Sequence, residues 1–113
     1  MVKLTICAKR RPGMGHAEFD AYWRDVHGAV VRSVPEFTRH VRRYVQCHGV
    51  AAPGIFGSDS GFDGIAELWF DDVASMERAF AEPRYLEVIR PDELKFADIE
   101  ACLAYVSEEL QVI

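Results

Sequence analysis

Two short stretches of this chain alternate residue by residue, two more are short runs that read as strands, and two others repeat their apolar residues at helical spacing. This order constrains the fold more than any single residue does. A period of two builds a strand with two distinct faces, and a period near 3.6 builds a helix with one apolar stripe. Val2–Lys9 sets Val2, Leu4, Ile6 and Ala8 against Lys3, Thr5, Cys7 and Lys9, and Arg11-Pro12-Gly13 ends it as a turn. From His16 to Ser33 the residues Phe19, Tyr22, Trp23, Val26, Val30 and Val31 fall on one helical stripe. Gly15 and His16 make a weak cap for that helix, and Pro35 closes the segment. Arg39–His48 alternates again, with Val41, Val45 and Cys47 on one face and His40, Arg42, Tyr44, Gln46 and His48 on the other. Residues 49–61 form a Gly-, Ala-, Ser- and Pro-rich connector, long for a hairpin loop, which suits a lid as well as a loose edge. Phe62–Phe70 is a third strand. A helix capped by Asp71 or Asp72 follows, with Val73, Met76, Ala79 and Phe80 as its stripe. Pro83 opens a short helix, Pro91 is expected to break it, and Asp92–Phe96 reads as one further turn. Glu100–Glu108 is the last strand.

The order β-α-β-β-α-β is the split βαβ motif: an α+β, ferredoxin-like fold whose four-stranded antiparallel sheet carries both main helices on one face. The apolar set Leu4, Ile6, Val41, Val45, Ala66 and Leu68 is expected under the helices. The other face would then hold Thr5, Cys7, Tyr44, Gln46, His48, Ile65, Glu67 and Trp69, too aromatic for water and too polar for a plain core. A second copy packing sheet on sheet resolves this, giving a homodimeric α/β barrel with a pocket between sheet and helix. The alternative is a monomer with a solvated sheet face. The pattern does not fix the facing of the last strand, so Tyr105 stays unassigned.

A chain of 113 residues suits one domain, taken here as residues 1–113, with a core of its own. A net charge of −5 argues against nucleic acid. No apolar run is long enough for a membrane-spanning helix, and the polar N-terminus does not read as a signal peptide. Cys7, Cys47 and Cys102 form no metal or disulfide pattern, so a reducing cytoplasm and no metal are expected. The glycines make no phosphate-binding fingerprint, so no nucleotide cofactor is expected. The basic groups around Lys9–Arg11 and Arg39–Arg43 read as strand-end or dimer-edge charges.

His27 stands four residues after Trp23, at the edge of the first helix's stripe. Loss of water there disfavours the charged ring and keeps it able to accept a proton near neutrality. A core histidine satisfied by a backbone group is the plainer reading.

Ordered pieces along nearly the whole chain match a known pattern. They are Lys9-Arg10-Arg11-Pro12-Gly13-Met14, Glu18-Phe19 with Tyr22-Trp23, His27-Gly28-Ala29, Arg43-Tyr44-Val45-Gln46 with His48, Phe62 to Phe70, and Arg90-Pro91-Asp92-Glu93 with Phe96 and Asp98. By these the chain resembles the EthD family, named for ethyl tert-butyl ether degradation, within the dimeric α+β barrel superfamily. His16, where Ser or Thr is more usual, departs from the pattern. The resemblance implies the dimeric barrel independently of strand alternation. It also implies kinship with muconolactone-type isomerases, monooxygenases that use neither metal nor flavin, and tailoring enzymes of aromatic polyketides. In the isomerase-like relatives a helix histidine and a strand tyrosine face the pocket, and His27 and Tyr44 hold those positions.

The expected chemistry is cofactor-independent proton transfer, oxidoreductase-like or isomerase-like, on a small, largely apolar, oxygen-bearing molecule. His27 would move the proton, and Tyr44 would donate to an enolate or phenolate oxygen. Glu67 would be a second acid/base with a raised pKa. Trp23 and Trp69 would wall the pocket, Gln46 and His48 would orient the substrate, Cys7 could face it, and Asp92 would hold the far nitrogen of His27. Each has an ordinary alternative: Tyr44 as a dimer contact, Trp23 as core, Trp69 as interface, Glu67 paired with an arginine across the dimer, His48 exposed, and Asp92 as a turn residue. A small-molecule binding module and an accessory protein of a degradation or biosynthetic pathway stay open beside the enzyme.

Overall fold

A computed structural model describes residues 1–113. Its strands are β1 (Val2–Ala8), β2 (Arg43–His48), β3 (Gly64–Phe70) and β4 (Leu103–Ser107). Its α-helices are α1 (His16–Tyr22), α2 (Gly28–Arg32), α3 (Pro35–Thr38), α4 (Val73–Ala81) and α5 (Arg90–Glu93). The strands form one four-stranded sheet in the order β2-β3-β1-β4, antiparallel throughout. This is the expected ferredoxin-like arrangement.

The core lies between the helices and one face of the sheet. Val2, Leu4 and Ala8 of β1 and Ala66, Leu68 and Phe70 of β3 meet Phe19, Trp23, Val31, Phe37, Ala79, Tyr85 and Ile89. Each large apolar side chain fully buried here contributes about 1.5–3 kcal/mol. Gly64 is part of the same fit. A Cβ at that position would stand 2.4 Å from the Trp23 ring, so the glycine makes the space into which the indole packs.

The long first helix keeps helical backbone from His16 to Arg32 but is not α-helical throughout. A π-helical turn over Trp23–His27 separates α1 from α2. A second π turn, Tyr85–Ile89, leads directly into α5. Pro91 therefore does not break the second helical run. It is the second residue of α5, directly after the π turn. Pro35 starts α3, so β2 is shorter than expected and begins at Arg43. Asp72 caps α4 as anticipated, accepting from Ser75 N at 2.7 Å. Gly15 gives α1 no side-chain cap, but His16 Nδ1 meets the buried Asp63 at 2.9 Å. Asp63 also accepts from Arg10 N, tying the start of α1 to the ends of two strands.

The facing of β2 is opposite to expectation. Tyr44 pairs with Leu68, Gln46 with Ala66 and His48 with Gly64, so these three lie under the helices. Val45 and Cys47 lie on the open face, with Glu67 and Ile65. Hydrophobicity misjudged the strand because the first helical segment supplies polar partners. His48 Nδ1 meets Asp20 at 2.5 Å and its ring packs on Trp23, while Gln46 Nε2 donates to the Trp23 carbonyl at 2.9 Å. Buried polar groups with such partners cost little. In β4, Tyr105 pairs with Thr5 and so belongs to the open face.

Candidate functional site

A cavity of about 270 Å³ opens between the sheet and the helices. Its wall is mostly apolar, with Leu4, Ile6 and Leu68 from the sheet and Trp23, Phe37, Phe80 and Phe96 from the other side. Polar side chains enter it at few places. His27 and Tyr44 do so, and Tyr85, Arg90 and Glu93 form a second group.

His27 comes from the first π turn and Asp92 from α5. His27 Nδ1 lies 2.8 Å from Asp92 Oδ2, and both side chains are about 95% shielded, at 5% exposure each. Tyr22 donates to the other carboxylate oxygen at 2.5 Å. Burial pushes the His27 pKa below its ordinary value despite the upward pull of Asp92. The ring is thus neutral near pH 7, with its Nδ1 proton on the Asp92 side and Nε2 left to accept. The Tyr22 phenol is pushed up to about 12 by burial and by Asp92. Asp92 does what was expected of it toward His27 but does not itself line the cavity. Tyr44 lines the cavity, and burial raises its pKa, keeping the phenol protonated as a hydrogen-bond donor.

The second polar group is Glu93 with Tyr85 and Arg90. Tyr85 Oη donates to Glu93 Oε1 at 2.7 Å. Burial raises the Glu93 pKa, outweighing Tyr85 and Arg90, which act to lower it. Arg90 Nε is 3.0 Å from Glu93 Oε1 but out of line for a hydrogen bond, so this buried N–H lacks an acceptor. Sequence reasoning missed all three. Pro91 read as the end of a short helix and Asp92–Phe96 as one further turn, so nothing in the pattern turned Glu93 toward a cavity.

Several expected site residues lie elsewhere. Cys7, Glu67 and Trp69 are on the open face of the sheet and do not line the cavity. Glu67 is held by Lys3 at 2.8 Å, which lowers its pKa where a rise was expected. Within the chain its partner is a lysine, Lys3. Trp69 lies under Arg43 and donates to Glu109. Gln46 and His48 serve the Trp23 region on the covered face and stay off the cavity wall. Trp23 both packs in the core and lines the cavity.

Residues 11–100 match the family model described as the EthD domain. A dehydratase of Gibberella zeae, aurZ, is 30% identical over 107 residues, covering 87% of this chain and 70% of the relative. A conidial pigment biosynthesis dehydratase, EthD, of Metarhizium robertsii is 32% identical over 104 residues, covering 84% and 72%. Both carry the name dehydratase, in place of the oxidoreductase chemistry expected from the resemblance. The crystal structure of an ethyl tert-butyl ether degradation family protein from Bacillus halodurans matches with a TM-score of 0.68 at 24% identity, covering 97% of this chain and 99% of that one. A dimeric protein of unknown function with a ferredoxin-like fold, from Bacteroides fragilis, matches with a TM-score of 0.68 at 12% identity, covering 96% and 95%. At these identities the two structural likenesses bear on the fold.

Proposed function

Because the chain belongs to the EthD domain family, we propose that it is an enzyme that removes water from a small, flat, oxygen-bearing molecule by proton transfer, using side chains alone. The observation that carries this reading is the buried His27–Asp92 pair at the wall of an apolar cavity. Asp92 fixes the tautomer, and the neutral ring presents Nε2 as a base. The substrate class that suits such a base is a β-hydroxy carbonyl compound. His27 takes the proton from the carbon beside the carbonyl, that electron pair forms the new C=C bond, and the β-hydroxyl departs. Tyr44 donates to the carbonyl oxygen as negative charge builds on it. The aromatic wall of Trp23, Phe37, Phe80 and Phe96 suits a planar ring system. The names of the two curated relatives support elimination of water over oxidation.

The test is dehydration of a cyclic β-hydroxy ketone whose product is a naphthol, followed by absorbance and by mass spectrometry. The wild-type protein converts it, and His27→Ala lowers turnover by about 10²–10⁴. Unchanged turnover in that variant removes the histidine from the mechanism.

The working unit of this proposal is a homodimer joined through the open sheet faces. Its support is the exposed Leu103 and Tyr105, on the same face as Ile65, Trp69 and Val45, together with the dimeric neighbour of the same fold. Light scattering at micromolar concentration reads the mass, and a monomer refutes this part alone.

A further inference from the structure

Dehydration needs an acid as well as a base, because hydroxide is a poor leaving group. Resting on the elimination proposed above, we infer that Glu93 is that acid, a catalytic residue that protonates the departing β-hydroxyl, with Tyr85 and Arg90 as the groups that position it.

The placement follows from α5. Asp92 and Glu93 are adjacent on this helix but turn to different partners. Asp92 is engaged by His27 and Tyr22, behind the cavity wall. Glu93 lines the cavity and is engaged by Tyr85, which comes from the preceding π turn. One short helix thus supplies the orienting carboxylate for the base and a second carboxyl to the same cavity. Two carboxyl groups whose surroundings differ in this way commonly divide acid and base work. Burial raises the Glu93 pKa, which favours the protonated form that an acid requires.

A second observation points to an oxygen ligand at this end of the cavity. The buried Arg90 Nε–H has no acceptor although it sits beside Glu93. Buried donors without partners are rare in folded proteins, and a hydroxyl oxygen held between Arg90 and Glu93 would satisfy this one.

The step balances. The C–H bond breaks and its proton goes to His27 Nε2. The C–O bond breaks, the oxygen takes the Glu93 proton, and water leaves with the C=C bond formed. His27 is then cationic and Glu93 anionic, and a proton passing from one to the other through solvent restores both. No oxidant or reductant takes part.

A change of leaving group tests this. The cyclic β-hydroxy ketone is compared with its β-acetoxy analogue, since acetate leaves without needing a proton. Glu93→Gln is expected to lower kcat for the hydroxy substrate by about 10²–10⁴ and to leave acetate elimination near the wild-type rate. His27→Ala lowers both. Equal loss on both substrates in Glu93→Gln, or no loss on either, overturns the role of Glu93 while the His27 result still stands. Full activity in His27→Ala, or a wild-type protein that eliminates neither group, overturns the parent reading and this one with it. Should Glu93→Gln fail to fold, the wild-type ratio decides. An acid at the leaving oxygen brings the two kcat/KM values far closer than the two elimination rates in buffer, and a ratio as large as in buffer refutes the acid.

Discussion

The two faces of this sheet hold similar side chains under opposite rules. On the covered face, burial dominates. It lowers the His27 pKa and raises that of Glu93, so both are biased toward their neutral forms. On the open face, a partner dominates. Lys3 lies 2.8 Å from Glu67 and, with the Cys47 thiol, lowers that carboxyl's pKa. Two glutamates in one small protein are therefore shifted in opposite directions. The balance between burial and partner decides the sign, because desolvation penalises charge and a hydrogen-bonded ammonium rewards it. Neutral groups that can exchange protons belong to the covered face, and held charges with exposed aromatics belong to the open one.

The strongest way to break this contrast is Asp92→Ala. It strands the Nδ1–H of His27 in the interior and leaves the half-buried Tyr22 hydroxyl without its acceptor. At about 1–3 kcal/mol for each orphaned donor, a loss of several kcal/mol is expected in urea denaturation, together with loss of turnover. A variant as stable as wild type shows that the pair is not held as described.

On the open face, Tyr105→Glu places a charge within the proposed contact between copies. A hot-spot loss of about 2 kcal/mol raises the dimer dissociation constant roughly 30-fold. Analytical ultracentrifugation reads this, and the cavity chemistry of the separated chain reports whether the faces act independently. An unchanged sedimentation profile places the contact elsewhere.

Gly64→Ala probes the covered face alone. Its new Cβ meets the Trp23 ring, and overpacking of this kind costs about 1–3 kcal/mol. Thermal unfolding at fixed pH measures it, and a neutral result means that the indole has room to move.

The smallest expected effect is a difference in pH dependence. The folded pKa of His27 lies below the ordinary 6.5. As pH falls through 6.5 the unfolded chain takes up a proton that the folded ring resists, so stability drops, and it stops dropping below the folded value. His27→Gln removes that slope. The folded pKa of Glu67 lies below 4.5, so its contribution is present above 4.5 and is lost as the pH falls through the lower folded value. Glu67→Gln alters stability only in that more acidic window, and weakly, since the pair is exposed to solvent screening. Urea midpoints across the two windows separate the faces.

Much of this was legible in the residues. The strand and helix order and a cap at Asp71 or Asp72 follow from spacing and side-chain chemistry, whereas the support of His27 by Asp92 was one expectation beside a plain turn residue. The π turns were not legible, because no residue in Trp23–His27 or Tyr85–Ile89 signals a wider turn. Glu93 stayed hidden for the same reason: a proline two residues earlier read as a stop, whereas the preceding π turn continued the helical run and carried Glu93 to the cavity.

The sequence by itself determined which residues of each strand share a face, since alternate side chains must point the same way. Only the tertiary structure decided which of those faces the helices cover. In β2 that choice set Tyr44, Gln46 and His48 inward, against the hydrophobic pattern. The physical reason is that facing depends on pairing between distant strands and on partners such as Asp20 and the Trp23 carbonyl, which local periodicity does not contain.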